Sequence, residues 1–371
     1  MAMLQAMCLV EYSKPFEHRM APLPKASGTE VLVKLTHSGV CHSDVHLWDG
    51  GFDMGGVREP ATARPPCTLG HEMEGIVLEI GSRVPAGAVQ IGSIYAVFPW
   101  IGCAVSDKPC QVCQQGKEQF CRSIRSKKFT DGCSGPALFG GFASHVLVPH
   151  HRYLVDYRSA GIPEGLGCIY MCSGLTAFSA LRKIPSHRLT RGAGKDVLLL
   201  GLGGLGMIGL RLAMALFREV PLAADIKEEN RRVALEFGSP EVYDPQDKDA
   251  LQKLHKHTGG GVSAVVDFVG SQQSLAFAMQ TVKNGGGQVI VVGMHGGQLK
   301  TPIALIPVRE LTLEGSFVGS LTDVQEMLKA LKESELGAVP PVHTMRSMSD
   351  LNQVMSELHD GKLLGRCILK H

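Results

Sequence analysis

Short runs of alternating hydrophobic and polar residues fill the first part of the chain, up to about residue 170. Residues 30–35 and 75–80 are examples, and Gly and Pro interrupt the sequence between such runs. Alternation with a period of two predicts strands with one buried face, and the frequent turn residues favour antiparallel pairing. The pattern therefore predicts a β-rich first domain.

From about residue 173 the pattern changes to short, mainly apolar runs separated by helical segments. These runs are residues 197–200, 222–225, 264–267 and 288–292. Strands that are apolar on both faces indicate a parallel sheet covered by helices on both sides. A further helix around 321–331 and a strand at 366–369 follow. The predicted fold class is α/β, with a β-rich domain beside a doubly wound parallel sheet.

Composition narrows the possible functions. The 371 residues are 44% hydrophobic and 19% charged, as in folded globular proteins. Lys and Arg number 37 against 35 Asp and Glu, so no basic surface favours a nucleic-acid partner. We also predict no membrane partner, because no apolar run approaches the roughly 18 residues of a membrane span. With no evident signal peptide, a cytoplasmic protein is expected, and its eleven cysteines are read first as metal ligands.

A glycine motif opens the parallel sheet and predicts a dinucleotide site. The motif G-L-G-G-L-G occupies residues 201–206, directly after an apolar run and before a helical run at 207–217. In this context Gly201 permits a tight turn, Gly203 lets the backbone approach a pyrophosphate, and Gly206 lets helix and strand pack closely. Gly204 and Leu205 complete the motif, and the free N–H groups at the start of the following helix would bind the phosphates.

The residue at the end of the next strand predicts which dinucleotide binds. Asp225 lies 19 residues after Gly206, where a carboxylate hydrogen-bonds the adenosine ribose hydroxyls and repels a 2′-phosphate. This favours NAD. Arg231 and Arg232 could instead hold a 2′-phosphate, so NADP remains an alternative.

Four thiols between residues 100 and 125 predict a structural zinc site. They are Cys103, Cys110, Cys113 and Cys121, and the middle two have the two-residue spacer common in zinc-binding loops. Asp107 is an alternative to Cys103 as the first ligand, although closed zinc sites favour thiolates. A redox or disulfide loop is the other interpretation, and the lack of an evident secretory signal disfavours it.

Two further metal ligands are suggested upstream, where Cys41 and His71 each lie beside a Gly-bearing turn. They would provide two of the three protein ligands that a catalytic zinc needs. From the residues alone, the third ligand is not evident.

Taken together, the motifs resemble the zinc-containing alcohol dehydrogenases of the medium-chain dehydrogenase/reductase family. The resemblance is carried along the whole chain by G-V-C-x-S-D at 39–44, G-H-E at 70–72, the four-cysteine lobe, M-C-S-G-L-T-A-F at 171–178, G-L-G-G-L-G, and G-K-x-x-G-R at 361–366. It implies a GroES-like catalytic domain over 1–172, with the zinc lobe at about 100–125. A Rossmann domain over 173–312 and a segment over 313–371 that completes the first domain would follow.

The resemblance also implies roles for individual residues. Cys172 would be the third ligand of the catalytic zinc, giving two zinc ions per subunit. Ser43 and His46 match the family's proton relay, and Glu72 lies beside the metal. Residues that match coenzyme-contacting positions are Thr176, Gly293, Phe317, Val318 and Arg366, the last of these at the pyrophosphate. Family members are homodimers or homotetramers, and of the two states a tetramer is favoured here.

The chain departs from the family pattern at two places. The interval between Cys41 and His71 is about nine residues longer than usual, and we expect this extra loop to border the substrate mouth. Four residues are inserted after Cys103. Trp48, Phe98 and Trp100 could line the substrate pocket or could equally be core residues.

The predicted activity is hydride transfer between a primary or secondary alcohol, or its aldehyde or ketone, and NAD at a zinc site. A polyol or sugar dehydrogenase of the same family is the main alternative; Cys172 argues against it, because those enzymes often have a glutamate there. A non-catalytic, NAD-binding zinc protein is the alternative from another class, and an intact set of ligands and relay residues disfavours it.

Overall fold

The described chain forms two compact units. A computed structural model describes residues 2–61, 63–106, 108–122 and 140–371. The first unit comprises Met1–Phe52, Pro60–Ser173 and Gly319–His371, and the second comprises Asp53–Glu59 and Gly174–Val318.

The N-terminal part of the chain is mainly strands. Its elements are β1 (Met3–Leu9), β2 (Glu17–Pro22), β3 (Val31–Val40), α1 (His42–Trp48), β4 (Gly51–Asp53), β5 (Arg58–Pro60), β6 (Cys67–Thr68), β7 (Glu72–Ile80), β8 (Ile94–Val97), α2 (Gln111–Gln114), β9 (His145–Val148), β10 (Leu154–Val155), α3 (Gly167–Ile169) and a π-helical turn (Tyr170–Gly174). Alternation of buried and exposed residues along β1 fits the predicted half-buried strands.

The second unit alternates helices and strands. Its elements are α4 (Leu175–Arg182), α5 (Ala193–Asp196), β11 (Val197–Leu200), α6 (Gly204–Phe217), β12 (Leu222–Ala224), α7 (Glu228–Glu236), β13 (Val242–Tyr243), α8 (Ala250–Thr258), β14 (Ala264–Asp267), α9 (Gln272–Thr281), β15 (Gln288–Val291), α10 (Leu305–Val308) and β16 (Thr312–Gly315). The strands form a parallel sheet in the order β13-β12-β11-β14-β15-β16. Every residue of β11 and β14 is buried, so the predicted parallel sheet, covered on both faces, is confirmed.

The last part of the chain returns to the first unit as α11 (Leu321–Glu333), β17 (His343–Ser347), α12 (Leu351–His359) and β18 (Arg366–Lys370). Its main sheet has the order β10-β8-β7-β3-β18-β17, with β9 also paired to β3. β18 runs antiparallel to β3, with Ile368 opposite Gly39. The C-terminal strand therefore lies beside the strand that leads into Cys41.

Between Cys41 and His71, where the sequence predicts an extra loop, β4 and β5 form a small hairpin. Its tip groups with the second unit, where Gln298 Nε2 donates to the Gly55 carbonyl at 2.8 Å. Thr62, near the end of the same loop, lies outside the described residues. None of the helices in the described parts of the chain is long and apolar enough to span a membrane.

Candidate metal and coenzyme sites

Three predicted ligands converge in the first unit. Cys41 follows β3, His71 immediately precedes β7, and Cys172 lies in the π-helical turn. The ligand atoms of these three residues lie within 4.8 Å of one another. His71 and Cys172 are buried, whereas Cys41 is partly exposed. Two thiols and one imidazole are a donor set that suits zinc, and three protein ligands leave a fourth position open.

The two thiols at this site differ in acidity. A hydrogen bond from Cys172 is the main reason that the pKa of the Cys41 thiol lies well below its usual value, and Arg366 and His71 lower it further. The same hydrogen bond, together with burial, raises the pKa of Cys172. A divalent cation would favour the deprotonated form of both sulfurs, because the thiolate is the ligand form.

Asp44 orients the histidine of this cluster, a role that the sequence interpretation did not assign. This fully buried carboxylate lies 3.2 Å from His71 Nδ1 and accepts backbone N–H groups from Cys41 at 3.0 Å and Gly70 at 3.2 Å. A carboxylate on Nδ1 leaves Nε2 as the nitrogen that faces a metal. The signal in the sequence was an acidic residue three positions after Cys41, in the first turn of α1.

The predicted relay residues both lie on α1. Ser43 Oγ is 3.4 Å from His71 Nε2, so the hydroxyl lies beside the face of the imidazole that would bind a metal. His46 packs against Phe52 with ring centroids 4.9 Å apart and against His42 at 5.2 Å. The structure brings Ser43 to the ligand cluster, and the relay itself stays a prediction.

A buried ion pair lies behind the ligands. Glu72 is fully buried, and its Oε1 accepts hydrogen bonds from the Arg366 guanidinium and, at 3.3 Å, from the Ser173 N–H. Burial raises the pKa of Glu72 to about 7, although Arg366 opposes the rise. Arg366 was predicted to bind the coenzyme pyrophosphate. The structure shows it paired with Glu72 within the first unit, and the phosphate contact stays a prediction.

A second buried carboxyl, Glu74, lies two residues further along β7. Its Oε1 accepts the Gly165 N–H at 2.7 Å, and burial raises the pKa of Glu74 to about 7. Because the folded-state pKa exceeds the model-peptide value of 4.5, the acid form stabilises the fold. That stability is fully present below about pH 4.5 and is lost as pH rises through 7.

We therefore expect Glu74→Gln, which is neutral at every pH, to raise the free energy of unfolding at pH 8 by about 2–3 kcal/mol relative to wild type. The difference should vanish near pH 4.5. Denaturant unfolding at fixed zinc between pH 4.5 and 8 measures it. Glu79→Gln, on the same strand but at a partly exposed position, is the control and should stay within about 0.5 kcal/mol of wild type. A constant difference at all pH values would contradict the expectation.

The four-cysteine cluster also forms as predicted. Cys103, Cys110, Cys113 and Cys121 have sulfurs within 4.8 Å of one another, and Cys110 caps the short helix α2. This donor set suits a closed structural zinc site. The cluster includes Cys103, and the alternative ligand Asp107 lies outside the described residues.

Two contacts attach this lobe to the rest of its unit. Glu118 is buried and accepts a hydrogen bond from Arg152 at 2.8 Å, and the Tyr153 hydroxyl donates to the Gly102 carbonyl at 3.4 Å. Hydrogen bonds to the rest of the unit therefore hold the lobe in place, in addition to its cysteines.

The glycine motif lies between β11 and α6 in the second unit. Gly201 has φ of +88°, and a Cβ at Gly206 would lie 1.9 Å from the Gly201 carbonyl oxygen, so both positions need glycine. A Cβ at Gly203 would meet nothing within 4 Å, so the space beside the start of the helix, where Gly204 and Leu205 follow, is open. An open cradle at a helix N-terminus suits a pyrophosphate.

Most of the other predicted coenzyme residues lie at one edge of this sheet. Asp225 follows β12, Gly293 follows β15, and Phe317 and Val318 follow β16. Parallel strands end at a common edge, and the strand order reverses between β11 and β14, which is where dinucleotides bind in such sheets. Thr176 is buried on α4. Contacts of these residues with a coenzyme stay predictions.

Asp225 and Arg231 both make hydrogen bonds within the second unit. The Asp225 carboxylate accepts the N–H groups of Leu202 at 2.6 Å and Lys227 at 2.7 Å. Arg231 donates to the Asp225 carbonyl at 2.7 Å and pairs with Asp244 at 3.2 Å. A carboxylate fixed beside the glycine motif favours ribose hydroxyls over a 2′-phosphate.

Of the three predicted pocket aromatics, Trp100 lies closest to the ligand cluster in its ring contacts, with its centroid 6.0 Å from that of His71. Phe98 is fully buried and stacks on Tyr153. The Trp48 Nε1–H donates to the Lys14 carbonyl at 2.6 Å, and its ring packs near His359. The contacts of Phe98 and Trp48 are packing contacts, and a pocket role for any of the three aromatics stays a prediction.

Two family models and full-length relatives match this chain. Residues 27–158 match the family described as "Alcohol dehydrogenase GroES-like domain", and residues 204–333 match "Zinc-binding dehydrogenase". The chain is 32% identical to an NAD-dependent alcohol dehydrogenase of Sulfurisphaera tokodaii, over 99% of each chain. It is 27% identical to a D-arabinose 1-dehydrogenase (NADP(+)) of Saccharolobus solfataricus, over 98% of this chain and 97% of the other.

A solved structure shows the same architecture. The acetophenone reductase of Geotrichum candidum, in complex with NAD, matches with a TM-score of 0.80 and 26% identity, over 100% of this chain and 97% of the other. Two family models match, a relative matches over its full length, and both groups of metal-ligating side chains are in place. This chain therefore belongs to the zinc-containing alcohol dehydrogenases of the medium-chain dehydrogenase/reductase family.

Proposed function

We propose that this protein interconverts primary or secondary alcohols and their aldehydes or ketones, with NAD as the redox partner, at the site of Cys41, His71 and Cys172. The observation that carries the proposal is the convergence of these three ligand atoms within 4.8 Å. The donor set leaves one zinc position for a substrate oxygen.

In this proposal, side chains of the protein bind and orient the reactants and remove the hydroxyl proton of the alcohol. Bound zinc would supply Lewis acidity and bound NAD the oxidant. Ser43 would accept the hydroxyl proton of the alcohol, because its Oγ lies 3.4 Å from His71 Nε2. His46, further along α1, would carry that proton towards solvent, since imidazole titrates near neutral pH. Asp44 keeps the His71 ring in one orientation.

The substrate would be an alcohol whose carbon chain packs against Trp100. This indole is buried and lies beside His71. The full-length relative named as an alcohol dehydrogenase supports the assignment. A polyol or sugar dehydrogenase is the second candidate, supported by the relative named for D-arabinose, and Cys172 in the ligand set argues against it.

A turnover screen tests the proposal. Purified protein would be assayed with about twenty alcohols, aldehydes and sugars, each with NAD and NADP, before and after chelation and again after zinc is restored. We expect NAD-linked turnover of simple alcohols that chelation abolishes and zinc restores. Turnover of sugars alone would favour the second candidate. NAD binding with no turnover of any compound would indicate a non-catalytic protein, and turnover unchanged by zinc removal would refute the metal's role.

Coenzyme preference gives a specific prediction. Replacing Asp225 by serine is expected to raise KM for NAD about 10- to 100-fold, because hydrogen bonds to a charged group contribute about 1.5–3 kcal/mol. The ratio of NAD to NADP efficiency should fall accordingly. Steady-state kinetics with both coenzymes measures the ratio. Asp244→Ser, which removes the carboxylate paired with Arg231, is the matched control; an equal effect of both variants would show that Asp225 has no particular role.

We propose further that the protein is a cytoplasmic homodimer or homotetramer. β16 is the last strand of the parallel sheet as described, and Ile303 and Val308, which precede it in the chain, are 81% and 78% exposed. An exposed edge strand next to apolar side chains favours pairing with a second copy. Light scattering measures the mass, and a value near 39.8 kDa, that of one chain, would contradict the assembly. Free thiols suit the reducing cytoplasm.

A further inference from the structure

The turn that carries Cys172 is a π-helix, over Tyr170–Gly174. In an α-helix each N–H donates to the carbonyl four residues back, whereas a π-turn pairs groups five residues apart. The Ser173 N–H leaves the helix and donates to Glu72 Oε1 at 3.3 Å. This bond joins the turn to the buried carboxylate next to His71.

The Ser173 hydroxyl takes the place of that redirected N–H. Its Oγ donates to the Ile169 carbonyl at 2.8 Å, which is the acceptor that the Ser173 N–H would use in an α-helix. Ser173 is only 2% exposed, so water does not readily replace the hydroxyl. The Ser173 hydroxyl thus bonds the Ile169 carbonyl in place of the Ser173 N–H, and the N–H donates to Glu72 instead.

Glu72 is fixed from two sides by these contacts. Its Oε1 accepts from both Arg366 and Ser173. A Cβ at Gly39 would lie 2.0 Å from Glu72 Oε2, so the carboxylate fills the space that glycine leaves on β3. The turn bearing Cys172, the strand after His71 and the strand before Cys41 therefore meet at one carboxylate.

We propose that Ser173 is a positioning residue of the catalytic metal site: its hydroxyl holds the π-turn, and the π-turn directs the Cys172 sulfur towards Cys41 and His71. Without the hydroxyl, the Ser173 N–H returns to the Ile169 carbonyl and the turn relaxes towards an α-helix. Cys172 then rotates about the helix axis and the metal is held less tightly. The inference rests on the proposed function only in that Cys172 is a zinc ligand.

Protection of thiols by zinc tests this without measuring turnover. Wild type, Ser173→Ala and Ser173→Thr would be stripped of metal, titrated with zinc and treated with iodoacetamide. Mass spectrometry then measures labelling of Cys41 and Cys172 separately from that of the four-cysteine lobe. We expect Ser173→Ala to need on the order of tenfold more zinc for protection at Cys41 and Cys172, as is common for residues behind a metal ligand. Ser173→Thr should match wild type, and the lobe should be unchanged.

Ser334 provides a matched control. Its hydroxyl also donates to a carbonyl four residues back, that of Ala330 at 2.7 Å, but its own N–H donates to the same carbonyl at 3.0 Å. The hydroxyl bond is redundant there, so zinc should protect the thiols of Ser334→Ala at the same concentration as those of wild type.

Equal zinc requirements for Ser173→Ala and Ser334→Ala would overturn the inference. If Ser173→Ala does not fold, Ser173→Thr and Ser173→Val form a second pair of similar shape that differs in the hydroxyl, and equal zinc requirements of these two would overturn it as well. Protection of wild-type thiols without alcohol turnover would refute the proposed function and leave the role of Ser173 standing.

Discussion

Replacing Cys172 by serine is expected to lower kcat/KM for alcohol oxidation by about 1000-fold and to reduce the zinc content from two ions per chain to about one. The thiolate is one of three ligand atoms that lie within 4.8 Å of one another, and serine is a poor zinc ligand at neutral pH. A catalytic metal contributes several kcal/mol of transition-state stabilisation, and each 1.36 kcal/mol is tenfold in rate. Steady-state kinetics and elemental analysis of the purified variant measure the two effects.

Cys168 supplies the control for this experiment. It lies four residues earlier, is fully buried, and its thiol donates to the Gly165 carbonyl at 3.6 Å. It does not belong to either ligand cluster of the described residues. Cys168→Ser should keep two zinc ions and lose less than tenfold in rate. Equal losses of zinc and rate in the two variants would mean that position 172 requires a buried thiol and not a metal ligand.

Removing Arg366 is expected to cause the largest loss of stability. Arg366→Leu should lower the free energy of unfolding by about 3–5 kcal/mol, because it leaves Glu72 buried without its cationic partner. The two side chains are only 7% and 0% exposed. Urea denaturation at fixed zinc concentration, followed by tryptophan fluorescence, measures the change, since Trp100 lies in the same unit.

A double variant separates the charge from the packing. Arg366→Leu combined with Glu72→Gln removes both charges, and we expect it to recover more than half of the lost stability. The partly exposed ion pair of Arg346 and Glu357, on the neighbouring β17 and on α12, is the comparison. Arg346→Leu should change stability by no more than about 1 kcal/mol. A double variant no more stable than Arg366→Leu alone would show that the loss came from packing.

The metal ligands could be predicted because their chemistry is visible in residue type and motif. Cys41, His71 and the four-cysteine lobe are uncommon groupings in a chain of ordinary composition. Cys172 required the family resemblance, because a single cysteine in an apolar segment is usually a core residue. The parallel sheet could be predicted because β11 is apolar at every position and β14 at every position except its last, Asp267.

Other features depend on distances that a linear pattern does not contain. Glu72 and Arg366 are 294 residues apart, and nothing in their spacing predicts an ion pair. Sequence periodicity does not predict the π-turn at Cys172, because one turn is too short to distinguish a period of 3.6 residues from a longer one. The predicted start of α6 at residue 207 was three residues late, since Gly204 and Leu205 themselves form the first turn.

The pairing of β18 with β3 has a consequence for biosynthesis. During translation β3 emerges early, and β18, which covers one of its edges from His37 to Val40, is made only after the entire parallel sheet. Until then an edge that leads to Cys41 remains open, and unpaired edges invite association with other chains. We therefore expect ribosome-bound chains that lack the last strand to be the species most dependent on chaperones.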